Sequence, residues 1–491
     1  MANSRKKRAL TLPFISQNQL VLDGFETPFD KKLNSDNRWV ILANLIPWDE
    51  ICNIYLKAVP KKETGRPGLN PRIVLGSIII KHLCDIDDRE TVDQISENMY
   101  MQYFLGYSSF SNQTPFDASL FVEFRKRLGL DVINEINEKI ISIKTKLENK
   151  SESKNKDSKP VSENQNPNRG SVIMDATACP QDIAYPTDLN LLNDAREKSE
   201  YLIDILYDKD LHEKKPRTYR EEARTIYLKT AQRKSKTGKI IRKGIGQQLR
   251  YLKRNIGHIN TLLDQYHVQP FKQIDLKYWY VIQELYAQQW LMFETQTKSV
   301  PHRIVSIHQP HVRPIVRGKS HAKIEFGAKI HCSMIDGITF LDELNWDAFN
   351  EGSHLVQYVE LFKSRFDCYP QELLVDKIYC TRENRKMLNE KGIKLVGKPL
   401  GRPSLAAQIA VSPGERNPIE GKFGQAKTGY GLDRIKARLQ NTSESWIASI
   451  FLVLNLVKLA GVAAHWVLFW IVESFSVHFC LKTQENKIGV I

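Results

Sequence analysis

In the stretch Glu415-Arg416-Asn417-Pro418-Ile419-Glu420-Gly421-Lys422-Phe423-Gly424-Gln425-Ala426-Lys427, one carboxylate lies between two cations, with Arg416 and Glu420 four residues apart and Arg416 and Lys427 eleven. On a helix those intervals bring all three side chains to one face over three turns. A carboxylate displayed in this way does chemistry only if other acids face it. Two isolated aspartates elsewhere in the chain stand where they could: Asp175 ends the apolar run Ser171-Val172-Ile173-Met174, and Asp376 ends Glu372-Leu373-Leu374-Val375.

Both runs read as buried strands, and open α/β sheets place their sites at the carboxyl ends of parallel strands. If the two strands are neighbours, the aspartates converge and repel each other unless a cation lies between them. Oxygen-only ligands suit magnesium or manganese. With Glu420 as a third ligand the set would hold two ions ~3.5–4 Å apart, the arrangement used for in-line phosphoryl transfer. Each acid also has a plainer role. Asp at a strand end often forms a turn, and Glu420, with Asn417 as cap and Pro418 at the first helical position, sits where a capping-box glutamate belongs. A capping box gives no reason for the two cations.

The elements around these residues divide the chain. Residues 36–147 read as helical: Gly65-Arg66-Pro67-Gly68-Leu69-Asn70-Pro71 stops one helix and launches the next, with Asn70 as cap and Val74, Leu75, Ile78, Ile79 and Leu83 at helical spacing. Further helices follow over 89–100 and 117–128. The last ends in Phe124-Arg125-Lys126-Arg127, so three short helices with a basic third one fit a helix-turn-helix module with Arg125 and Arg127 as DNA contacts. Residues 151–170 are polar and form a linker. Residues 188–296 are helical again. Glu325–Ser333 and Gly337–Glu343 read as a hairpin turning at Met334-Ile335-Asp336, and a helix ending at Gly392 precedes a last strand over 393–396. The pattern is an α/β domain split in sequence by a helical insertion, giving a helical domain over 1–148, a linker over 149–170, the α/β domain over 171–445 with its insertion at 188–300, and apolar helices with a tail over 446–491.

The net charge is +15 with a pI near 9.3, an imbalance typical of chains that bind polyanions, nucleic acid above all. The charge is concentrated: between Glu213 and Arg254 there are fifteen Lys or Arg against three acids. Tyr219, Tyr227 and Tyr251 are interleaved, and Lys214, Lys215, Arg217, Arg233, Lys234, Arg242 and Lys243 are the candidate phosphate contacts there. Gly244-Ile245-Gly246 is no phosphate loop, because no strand precedes it. Seven scattered cysteines without a CxxC pair argue for a reducing compartment and against a disulfide framework or structural zinc. Arg5-Lys6-Lys7-Arg8 is followed by too brief an apolar stretch for a signal peptide. In 446–472, Lys458 and His465 leave neither half near the ~18 apolar residues of a spanning helix, so a pair of core helices is expected and no stable membrane association.

The chain resembles the DDE transposases of bacterial insertion sequences, in the group with a helical amino-terminal domain ahead of a ribonuclease-H-like catalytic domain. The resemblance rests on Met174-Asp175-Ala176-Thr177, Asp182-Ile183-Ala184-Tyr185-Pro186-Thr187-Asp188, Leu191-Leu192-Asn193-Asp194-Ala195-Arg196 and His311-Val312-Arg313-Pro314-Ile315-Val316-Arg317-Gly318-Lys319. It extends to Val375-Asp376-Lys377-Ile378-Tyr379, Gly401-Arg402-Pro403 and the stretch around Glu420. It implies a ribonuclease-H-like mixed sheet interrupted by an all-helical insertion and preceded by the α-helical domain.

It also implies Asp175, Asp376 and Glu420 as the metal-binding triad for Mg2+ or Mn2+, with Arg416 and Lys427 as the cations of the signature. Arg416, Lys422 and Lys427 would then face DNA. The reaction would be hydrolysis at the element's end, then attack of the freed 3′-hydroxyl on target DNA without a covalent protein intermediate. The expected partners are double-stranded DNA and further copies of the chain, in a homodimer or larger synaptic assembly, in the bacterial cytoplasm at the nucleoid. Pro413 departs from the family pattern, which often has tyrosine three residues before the arginine, and the apolar tail after about Leu459 is unusual for it. Two other classes compete: a DNA-binding protein or repressor that has lost catalysis, and a hydrolase using paired carboxylates such as a glycosidase. The latter has no need of the basic insertion.

Overall fold

The structure is a computed structural model that describes residues 32–59, 68–152, 168–316, 324–397 and 416–461, with backbone only for 143–152. Arg5 to Arg8, Gly65 to Pro67, most of the linker, Arg317 to Lys319, Gly401 to Pro403, Pro413 and the tail beyond 461 lie outside the described residues.

The first seven helices are α1 (Arg38–Leu45), α2 (Trp48–Ala58), α3 (Pro71–Cys84), α4 (Asp88–Glu97), α5 (Met99–Phe104), α6 (Leu120–Arg127) and α7 (Leu130–Glu152). At the start of α3 the Asn70 side chain accepts the Arg72 N–H and Pro71 takes the first helical position, as the sequence predicts. The helix expected over 89–100 is two helices instead. Asn98 breaks it because its side chain accepts the N–H groups of Tyr100 and Met101 and so caps a new start. The helix expected from residue 117 begins at Leu120, since Asp117 first closes a local turn by accepting the Ser119 N–H.

The mixed sheet comprises β1 (Ser171–Pro180), β2 (Arg313–Val316), β3 (Ile324–Ile335), β4 (Ile338–Asn345), β5 (Glu372–Leu374) and β6 (Lys394–Val396). The order is β2-β3-β1-β5-β6, with β4 also on β3; β1 runs antiparallel to β3 and parallel to β5, and β5 parallel to β6. The hairpin turns at Asp336-Gly337, not at Met334 to Asp336. Both turn residues are left-handed, with φ of 51° and 80°, the geometry a two-residue turn needs to match strand twist.

Four helices lie between β1 and β2: α8 (Asp188–Leu206), α9 (Arg220–Ala231), α10 (Gly238–Leu263) and α11 (Gln273–Thr295). They close on their own core, which includes Leu192, Leu202, Leu249, Leu252, Ile259, Ile282 and Leu285. One face of the sheet packs Val172, Met174, Leu373 and Val375 against α12 (Leu355–Phe366) and α13 (Arg382–Glu390). The other face shares one core with the amino-terminal helices, the helix Asn417–Gly429 and the C-terminal helix Gln440–Gly461.

That last helix is long and apolar enough to cross a bilayer by length and composition, but it is mostly buried, with Ile447, Ile450, Val453 and Leu456 inaccessible. Lys458 does not interrupt it, contrary to expectation, because the side chain lies on the exposed side. Asn455 is the helix's polar fastening. Its amide accepts the Thr339 N–H at 2.9 Å and donates to the Thr339 carbonyl at 2.7 Å and to Asn137 Oδ1 at 3.0 Å, tying β4 to α7. No disulfide joins any two of the six described cysteines.

Candidate active site

Asp175 lies in the middle of a strand. β1 continues to Pro180 because β3 pairs along its whole second half, with Asp175 opposite Cys332. The strand end that matters is that of β5. The parallel ladder joins Ile173 to Leu374 and stops there, and two further residues along each chain bring Asp175 level with Asp376. Side chains alternate across a strand, so Val172 and Met174 enter the α12 and α13 core while Ile173, Asp175 and Thr177 face the helix Asn417–Gly429. Asp376 accepts the Lys377 N–H at 2.6 Å and caps a single 3-10 turn over Lys377–Tyr379.

The helix Asn417–Gly429 buries Ile419, Phe423 and Ala426, one stripe at intervals of four and three, and leaves Glu420 exposed. The residue in the cap position is Arg416, not Asn417, and no side chain caps the helix. Glu420 therefore has no capping-box role, and its carboxylate turns to Arg416.

The Arg416 guanidinium is the meeting point. Nη1 donates to Asp376 Oδ1 at 3.2 Å, Nη2 lies 3.7 Å from Asp175 Oδ2, and Nη2 lies 4.0 Å from Glu420 Oε1. Nε is buried without a hydrogen-bond partner. Exposure grades outward: the side chain of Asp175 is 20% accessible, that of Asp376 53% and that of Glu420 63%. Burial pushes the Asp175 carboxyl above its ordinary range. The Ala176 N–H and Arg416 oppose that shift, while Asp376 and Glu420 add to it.

Three carboxylates and one guanidinium leave two negative charges uncompensated. Hard oxygen donors with that surplus suit a divalent cation such as magnesium or manganese. As placed, the acids surround the guanidinium, and among the described residues no three His, Cys, Asp or Glu side chains stand close enough to hold one ion.

The structure thus brings together Asp175, Asp376, Glu420 and Arg416. Lys427 follows Glu420 by two helical turns on the same side, in the last turn of the helix and ~10 Å along its axis. Lys422 lies away from that side, its charged form disfavoured by burial and by nearby Lys458. Arg125 is no surface contact: it is 4% exposed and forms a bidentate pair with Asp88. That takes Arg125 out of the basic face expected of α6, while Lys126 and Arg127 are exposed. In the insertion, Lys214, Lys215, Arg217, Arg233, Lys234, Arg242 and Lys243 are all exposed, on segments remote in sequence from the acids. Lys215 pairs with Asp204 at 2.9 Å, Arg217 lies over Tyr219, and Arg242 lies over Phe293.

Two positioning contacts escape a reading of the sequence. The loop after the site helix is bound to the end of β1 by the Ile435 N–H on the Pro180 carbonyl, the Asp182 N–H on the Ile435 carbonyl, and Arg434 on Asp182 at 3.0 Å. Gln181 donates to the Ala437 carbonyl and to Ser443 Oγ. These partners lie about 250 residues apart in sequence, and no local pattern links them.

Residues 27–127 match the family described as Transposase domain (DUF772), and residues 373–457 match the family described as Transposase DDE domain. The second match contains Asp376, Arg416, Glu420 and Lys427, whereas Asp175 lies outside both. An uncharacterized protein, ORF8 in the nfe locus of Rhizobium meliloti, is 31% identical over 172 residues, which are 34% of this chain and 74% of that protein. No solved structure matches the chain.

Proposed function

The chain belongs to the DDE transposases of insertion sequences, and on that premise we propose that it cleaves DNA at the ends of such an element and joins the freed ends to target DNA. The observation that carries this reading is the convergence of Asp175, Asp376 and Glu420 from three separate segments on one guanidinium. The mixed sheet, with Asp175 on its central strand and Asp376 just past the parallel neighbour, supports a ribonuclease-H-like catalytic domain.

In this reading Asp175, Asp376 and Glu420 would hold divalent magnesium or manganese, which when bound supplies an activated attacking oxygen and stabilises the leaving one. Asp175, the least exposed of the three, anchors the site on the rigid sheet. Glu420 closes it from the helix. Arg416 and Lys427 bind phosphates of the cleaved strand, Arg416 through the paired N–H groups that match a phosphate's oxygens. Double-stranded DNA is the substrate, the exposed cations of the insertion extend the phosphate path, and a dimer or larger assembly at the nucleoid brings two ends together.

The test uses DNA fragments flanking the chain's own gene. Asp376→Asn should abolish magnesium-dependent cleavage, by on the order of 10³-fold or more, with binding of the same fragments nearly intact. Full cleavage by that variant would sink the assignment. Binding without cleavage by the wild-type chain would leave a DNA-binding protein descended from a transposase.

A further inference from the structure

We propose that Arg416 is the resident cation of the metal-free site: it occupies the space between Asp175, Asp376 and Glu420 and vacates it when divalent metal enters, so that metal loading and phosphate capture are coupled through one side chain. The inference rests on the metal site proposed above.

Three features of the contact point this way. First, Arg416 is the one cation paired with these acids among the described residues, and it reaches one oxygen of each, at 3.2, 3.7 and 4.0 Å. An ion bound by the same carboxylates would sit about 2.1 Å from their oxygens. Arg416 and the ion therefore compete for one volume.

Second, the contact is loose. Only the Asp376 contact is a hydrogen bond, while Asp175 and Glu420 stand 3.7 and 4.0 Å from Nη2. An arginine built to hold acids permanently uses both arms of its fork, as Arg125 does on Asp88 at 3.0 and 2.7 Å.

Third, the charge balance reverses on loading. Three carboxylates less one guanidinium leave two negative charges; two dications against three carboxylates leave one positive charge. Arg416 is attracted in the first state and repelled in the second. Its position just ahead of the helix lets the side chain swing without moving Glu420.

A phosphate that captures the released guanidinium removes metal's competitor. By linkage, DNA then tightens metal binding and metal tightens DNA binding by the same factor.

The experiment is a Mn2+ titration of the full chain without DNA, by calorimetry, paired with thermal unfolding with and without Mn2+. Arg416→Gln, which keeps a polar side chain and loses the charge, and Arg416→Ala should each bind Mn2+ on the order of tenfold tighter than wild type, with a larger rise in Tm on adding the ion. Arg416→Lys should stay close to wild type, and Asp376→Asn should lose binding. Equal or weaker Mn2+ binding by both neutral variants overturns the proposal, since an arginine that organises the acids for metal would give that result. Absence of Mn2+ binding in every variant and in wild type, or full binding by Asp376→Asn, overturns the metal-site reading instead.

Discussion

Arg125 and Arg416 each anchor a cluster of charges, far apart in the chain, and the two clusters are balanced in contrary ways. Arg125 makes two hydrogen bonds to Asp88, which also pairs with Lys81 at 3.1 Å. Two cations face one carboxylate there, and Trp446 of the C-terminal helix covers them, its ring 4.5 Å from Lys81 Nζ and 5.3 Å from the Arg125 guanidinium. Surplus positive charge is met by a π face and withdrawn from water. Around Arg416 the surplus is negative, the acids grade out to solvent, and only the Asp376 contact is a hydrogen bond. The first arrangement is complete without a ligand and joins the amino-terminal helices to the C-terminal helix. The second is complete only when more positive charge arrives. Charge balance together with geometry separates a structural arginine from a functional one where residue type does not.

If that contrast holds, the largest effect comes from truncating the buried arginine. Arg125→Ala removes both hydrogen bonds to Asp88 and leaves a cavity beside Trp446, so it should cost about 3 kcal/mol in the first transition of a urea titration, with Mn2+ binding by the folded chain unchanged. A cost under about 1 kcal/mol would return Arg125 to the class of surface cations and erase the contrast.

A smaller, pH-dependent effect follows from its partner. Burial alone would raise the Asp88 carboxyl, but Arg125 and Lys81 together hold it below its ordinary value of 3.8. A carboxyl titrating lower in the folded than in the unfolded chain contributes stability above the unfolded value, and loses it as pH falls through the folded one. Stability curves of wild type and Asp88→Asn should therefore be farthest apart at neutral pH, by about 1–2 kcal/mol, and converge in the acid range. A gap that stays constant down to pH 3 would mean the carboxylate charge is not what the pair uses.

Sequence reasoning was most reliable where local chemistry decides the outcome. Asn70 ahead of Pro71 starts α3, and Thr381 caps α13 by accepting the Asn384 N–H. It also found the two buried runs that become β1 and β5 and the acids Asp175 and Asp376 at them, because such runs and isolated acids are visible in one dimension; that the strands are neighbours it held only as a condition. It failed where the partner is distant. Asp175 read as a strand end because nothing nearby shows that β3 extends the pairing to Pro180. Arg125 read as a basic surface because the residues that bury it, Asp88 and Trp446, are on other helices. The capping box at Glu420 fitted its spacing, yet Arg416 takes the cap position.

The contrast extends to cations that have no acid at all, and there the expected effect is smallest. In the insertion, Lys215 and Arg220 both pair with Asp204 at 2.9 Å, and Arg217 and Arg254 lie over Tyr219 at 4.7 and 4.5 Å. Arg233 and Lys234 are exposed and form no ion pair with a described residue. A cation already paired gains little by exchanging a carboxylate for a phosphate, whereas a free one releases a counterion from DNA when it binds. On the proposed DNA path, Arg233→Ala and Lys234→Ala should each reduce the slope of log affinity against log salt by about 1, uniformly across sequences, and Lys215→Ala by less. If Lys215→Ala changes the slope as much as the other two, pairing with Asp204 does not decide which cations meet DNA. If none of the three changes it, the phosphate path runs over another face of the chain.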